Sequence, residues 1–148
     1  MEINKAIAKC MHLCSCREYC VFDIEAKLLK WDIESNDIYS IINTLLDEGY
    51  IDQERYTKAF INDKFKFNHW GKTKIKYHLR QKHIDTATIN KFINSINEKD
   101  YKETIINEII KKRESIKDDN SFEAQQKIAR YVISKGFEPE MVFKELDI

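Results

Sequence analysis

The apolar positions of this chain repeat. Ile24, Leu28, Ile33, Ile38 and Ile42 are separated by 4, 5, 5 and 4 residues. The pattern returns 51 residues on at Ile75, Leu79, Ile84, Ile89 and Ile93, and 53 further on at Ile128, Val132, Phe137, Val142 and Leu146. Self-similarity at a period near 50 marks an array of small units, each unable to bury its own apolar face. Such arrays present surfaces, which favours a binding protein over an enzyme.

Helical spacing fills in the units. In the first copy Ile3, Ile7, Cys10 and Cys14 share a face, followed by Ile24–Leu28 and by Ile38, Ile42 and Leu45. In the second, Tyr56 and Phe60 open, then Ile75–Leu79, then Ile89, Phe92, Ile93 and Ile96. In the third, Ile105, Ile106, Ile109 and Ile110 open, then Ile128–Val132, then Val142–Leu146. The expected fold is all-α: three tandem three-helix repeats over residues 1–50, 51–99 and 100–148. The copies are expected to pack on one another in an elongated array, open to curvature, because one copy alone offers a marginal core. Asp100 with Glu103 and Asn120 with Glu123 fit helix starts, as do Ser35, Asp52 and Thr86 as caps. Pro139 suits a first helical turn, and Gly49, Gly71 and Gly136 fall at helix boundaries.

Composition narrows the class. Three glycines and one proline in 148 residues argue against a turn-rich β fold. No apolar run is long enough for a membrane span, and Met-Glu-Ile-Asn does not begin like a signal peptide. A cytoplasmic monomer is the expectation. The zero net charge hides an uneven distribution. Cations against acids count 5 to 9 in residues 1–50, 11 to 5 in 51–99 and 9 to 11 in 100–148. The middle copy is a basic block of +6 between acidic ones, and such asymmetry points to a charged partner.

Candidate chemistry is sparse. Cys10, Cys14, Cys16 and Cys20 match no common zinc or iron–sulfur spacing, so Cys10 and Cys14 read as small core residues and the others as incidental thiols. The histidines at 12, 69, 78 and 83 stand in no nucleophile motif, and no glycine-rich phosphate loop exists. No catalytic residue, metal or cofactor is assigned. The stretch from Lys64 to Lys82 is different, with seven cations, no acid, and rings at 65, 67, 70 and 77. Interleaved cations and rings suit nucleic-acid phosphates and bases, or equally an acidic protein groove. The assigned contacts are Lys64, Lys66, Lys72, Lys74, Lys76 and Arg80, with Arg55 near the copy junction, while Phe65, Trp70 and Tyr77 read as core.

These residues also carry a resemblance. Arg17-Glu-Tyr-Cys20-Val-Phe-Asp23-Ile24 with Leu28, the junction Leu46-Asp-Glu-Gly49-Tyr50-Ile51-Asp52-Gln-Glu54-Arg55-Tyr56, and Trp70-Gly71-x3-Ile75-x3-Leu79-x2-Lys82-His83-Ile84 resemble the RecX family. Cys20 departs from that family's helix-capping Ser, and Asp32 and His83 from its usual Gly. The resemblance implies tandem three-helix repeats without catalysis. It implies binding to filaments of the recombinase RecA on single-stranded DNA, lowering ATPase and strand-exchange activity in recombination and the SOS response. The alternative is an autonomous DNA- or RNA-binding helical-repeat protein.

Overall fold

All fifteen positions of the repeated pattern are buried, none more than 8% exposed. The fold that buries them, a computed structural model, describes residues 1–116 and 121–148. Among the described residues there are nine helices and no strand, in three groups of three. The first group is α1 (Ile3–Cys16), α2 (Val21–Lys30) and α3 (Ser35–Asp47). The second is α4 (Gln53–Lys66), α5 (Lys72–Gln81) and α6 (Thr86–Ile93), and the third α7 (Glu98–Ile116), α8 (Phe122–Ser134) and α9 (Pro139–Leu146).

The internal step of five residues has a backbone cause. Ile33 N–H reaches back to the Leu28 carbonyl, and Ile84 N–H to that of Leu79, at 3.1 Å each. These bonds close the helix ends through a left-handed residue, Asp32 at φ 59° and His83 at φ 60°. Gly136, at φ 102°, holds the same place before Phe137 in the third copy. The pattern therefore records two helix faces and the reversal between them.

Several starts shift by one turn or less. Asp52 caps α4 as expected, its carboxylate accepting the Arg55 N–H, and Pro139 opens α9. Ser35 and Thr86 lie inside their helices: Glu34 precedes α3 with no side-chain cap, and Asp85 caps α6. Asn97 Oδ1, not Asp100, accepts at the start of α7, taking the Asp100 N–H at 3.0 Å. Asn120 lies outside the described residues, and Ser121 caps α8. Cys20 makes no side-chain cap on α2; instead Gln53, from α4, accepts the Val21 N–H at 3.0 Å.

The copies pack unequally, which was not expected. Repeats 2 and 3 share one core, whereas repeat 1 has its own, which Ile51 completes; from repeat 1, Cys20 and the partly buried Phe22 pack against the shared core. The 2–3 joint is a backbone contact. Gly71 N–H donates to the Lys135 carbonyl at 2.8 Å and Thr73 N–H to that of Gly136 at 3.0 Å. A Cβ on Gly71 would overlap the Gly136 carbonyl group and the Phe137 nitrogen. Tyr101 lies against Phe65 and Phe137, its hydroxyl accepting from the Lys72 N–H and donating to Glu138. The 1–2 joint adds ion pairs to the apolar contacts of Cys20 and Phe22. Arg55 Nε meets Glu18 Oε2 at 2.6 Å, and Lys82 Nζ meets Asp23 Oδ1 at 2.6 Å. Beside these pairs the Phe22 ring packs on that of His83, with centroids 4.7 Å apart.

Candidate functional site

An open groove of about 960 Å³ runs between repeats 1 and 2. One wall is the segment after α1 and the outer face of α2, where Phe22, Ala26 and Lys30 follow the helical period opposite the buried Ile24 and Leu28. The other wall is α4, whose Tyr56, Ala59, Phe60, Asp63 and Lys64 stand at steps of three and one. Trp70 and His78 close the floor beside Lys82.

Rings and cations alternate along the groove. Phe60 and Trp70 meet edge-on with centroids 6.4 Å apart, and Trp70 lies 4.6 Å from the His78 ring. Lys64 Nζ sits 4.9 Å and Lys74 Nζ 4.5 Å from the Trp70 centroid. On the opposite wall Arg17 and Lys27 flank Tyr19 at 4.6 and 5.5 Å, and Lys82 lies 5.6 Å from Phe22. A cation held over a ring face is the arrangement that accepts a phosphate beside a stacked base. Burial, and then Lys74, Lys64 and Lys82, hold the His78 pKa below its ordinary value, so the imidazole adds little charge near neutral pH.

Five cations line the groove, Arg17, Lys27, Lys30, Lys64 and Lys82, against three acids, Glu18, Asp23 and Asp63. Two of those acids are engaged, Glu18 by Arg55 and Asp23 by Lys82. The groove is therefore cationic on balance, with its negative charges held in place.

The structure divides the sequence-assigned contacts. Lys64 and Lys74 converge on Trp70. Lys66 is exposed at the last residue of α4. On α5 one turn takes about 3.6 residues, so Lys72, Lys76 and Arg80 form a row on one flank of the buried Ile75 and Leu79. Lys74, His78 and Lys82 form a row on the other flank, of which His78 and Lys82 line the groove. Lys72 belongs to the 2–3 joint, its ammonium 4.9 Å from the Tyr101 ring. Arg55 clasps the 1–2 joint, and its Nη2 also donates to the Gly49 and Tyr50 carbonyls at 3.1 and 3.3 Å.

The rings also divide. Phe65 is core and Trp70 half-buried, but Tyr77 is 57% exposed and not core. Cys20 is fully buried rather than incidental, and Cys10 is buried as expected. Burial pushes both thiols up to about 11. Sequence reasoning missed Tyr19, Phe22, Lys27 and Lys30 because they lie in the acidic first copy. For Phe22 and Lys30 the signal was present in their helical phase, opposite Ile24 and Leu28, whereas Tyr19 precedes α2 and Lys27 lies at the side of the buried face.

Comparison with known proteins follows the same division into repeats. Residues 52–92 match the second three-helix domain of RecX and residues 99–146 the third. Regulatory protein RecX of Clostridium botulinum (strain Eklund 17B) is 28% identical over 148 residues, covering 92% of this chain and 69% of that protein. That of Clostridium tetani is 29% identical over 114 residues, covering 75% and 51%. The chain thus spans between half and about two thirds of these relatives' length. The crystal structure of RecX from Lactobacillus salivarius superposes with a TM-score of 0.86 at 23% identity, covering 98% of this chain and 94% of that one. Another RecX crystal structure gives 0.88 at 21% identity, covering 98% and 71%. With two consecutive domains matched in order on a fold of three three-helix repeats, this chain belongs to the RecX family.

Proposed function

We propose that this chain regulates RecA on single-stranded DNA in the cytoplasm, lowering its ATPase and strand-exchange activity by binding and without catalysis. Membership of a family whose curated relatives are named regulatory proteins supports a regulator. The alternation of cations and rings in the groove between repeats 1 and 2 is the observation that carries the contact. The groove takes the phosphate strand, while Lys76 and Arg80, in the row on the other flank of α5 whose Lys72 is engaged at the 2–3 joint, are available to acidic RecA surface. Two such faces on one monomer make each contact raise the effective concentration of the other.

The test is ATP hydrolysis by RecA on single-stranded DNA, with the chain titrated well below one per protomer. Wild type is expected to inhibit substoichiometrically. Lys64→Glu with Lys74→Glu is expected to raise the half-inhibiting concentration about tenfold or more, since two like-signed contacts are reversed. Inhibition unchanged by that pair would remove the groove from the mechanism. The groove chemistry also supports a second reading, direct binding of DNA or RNA. No inhibition at stoichiometric amounts, with salt-sensitive binding to oligonucleotide alone, would select it.

A further inference from the structure

Among the described residues, Glu18 and Asp23 are the acids of repeat 1 that line the groove, and each is occupied by a cation of repeat 2. Asp23 is the more enclosed, with 13% of its side chain exposed, and its Oδ1 lies 2.6 Å from Lys82 Nζ. Lys82 also borders the Phe22 ring, so its ammonium stands where a bound strand would need it. Glu18 engages Arg55 through Oε2 alone. Its Oε1 is buried and finds no hydrogen-bond partner among the described residues. Arg55 cannot close a second bond to it with Nη2, which donates to the Gly49 and Tyr50 carbonyls. A carboxylate held by one oxygen, with the other desolvated, is an incomplete pair and a poor competitor against a better anion.

We infer that Glu18 and Asp23 are a built-in competitor for the groove's anion, so that a ligand must displace them from Arg55 and Lys82 to bind. This inference rests on the reading of the groove as a site for a phosphate strand. The device sets specificity by charge density. An isolated anion exchanges one contact for another and gains nothing. A strand carrying consecutive phosphates satisfies Lys82 together with Arg17, Lys27, Lys30 and Lys64, reaches Arg55 behind Glu18 at the groove's edge, and prevails. Because both pairs also bridge repeats 1 and 2, the displacement loosens that joint as the strand enters.

The test uses the full chain and a fluorescent oligo(dT), with affinity read by anisotropy over a salt series and folding checked by thermal melting. Asp23→Asn is expected to bind about three- to tenfold tighter than wild type, because Lys82 is released from its internal partner. Its plot of log affinity against log salt is expected to steepen, because wild type takes up a cation at the freed Asp23 on binding and so offsets part of the counterion release. Glu18→Gln should act in the same direction, and Lys82→Gln in the opposite one. If the Asp23–Lys82 pair only held the repeats together, Asp23→Asn and Lys82→Gln would both weaken binding, and that result overturns the inference. Binding that Lys64→Ala with Trp70→Ala weakens, but that Asp23→Asn leaves unchanged, also overturns it while the groove reading stands. Oligo(dT) binding that is absent, or indifferent to Lys64→Ala with Trp70→Ala, overturns the groove reading and the inference with it.

Discussion

His78 condenses the electrostatics of the groove into one group. Its desolvation, reinforced by Lys74, Lys64 and Lys82, puts its folded pKa below the unfolded 6.5. As pH falls from 6.5 toward the folded value, the unfolded chain takes up the proton first, so this residue makes stability fall with pH in that window and not above it. A side-chain NMR titration is expected to place the His78 midpoint below 6.5 and to move it upward on adding oligo(dT), because a phosphate strand favours the imidazolium. A midpoint at or above 6.5 in the free protein would contradict the geometry. Single residues were also where reading from sequence slipped. Tyr77 counted as core by its type, but on α5 it points away from Ile75 and Leu79 and is exposed. Cys20 looked incidental because the cysteines match no metal spacing, yet it is fully buried in the core of repeats 2 and 3.

At the level of elements, the helices were legible because fifteen apolar positions obey one pattern, and every one is buried. Cap positions were less so, since neighbouring polar residues compete: Asp85 precedes Thr86, and Ser121 follows Asn120. The basic stretch was legible as composition but not as a site. Helical phase splits it into two rows, and half of the groove comes from another repeat. Contacts that depend on the absence of a side chain were invisible. Gly71 is extended, at φ −79° and ψ 168°, a conformation any residue adopts, and only the approach of Gly136 explains it. Gly71→Ala is therefore expected to cost about 3 kcal/mol through overpacking against backbone that cannot yield. Gly49→Ala, where φ is 77° and the space is open, should cost only about 1 kcal/mol from the left-handed backbone. Urea midpoints compare the two; a Gly71→Ala shift no larger than that of Gly49→Ala would refute the close contact.

Across the whole molecule, stability is divided as the cores are. Repeat 1 depends on its own cluster plus ion pairs, the Gln53–Val21 bond and the Cys20 and Phe22 contacts, whereas repeats 2 and 3 share a core and are joined by backbone hydrogen bonds and by Tyr101. Local opening follows such divisions. Amides of Ile24, Leu28 and Ile42 are expected to exchange with deuterium faster than those of Ile75, Leu79 and Ile128, and more so in high salt, which screens Arg55–Glu18 and Lys82–Asp23. Uniform protection over all six would show a single cooperative unit. The same division governs how the chain leaves the ribosome. The residues that complete the first core, through Ile51, all emerge before those of α4. The second repeat has no such closure. Phe65, Ile75 and Ile89 must wait for Tyr101, Ile128 and Phe137, so their apolar faces stay open while the third repeat is made. At about 5–20 residues per second, that leaves several seconds in which the middle of a nascent chain is exposed to aggregation or to a chaperone.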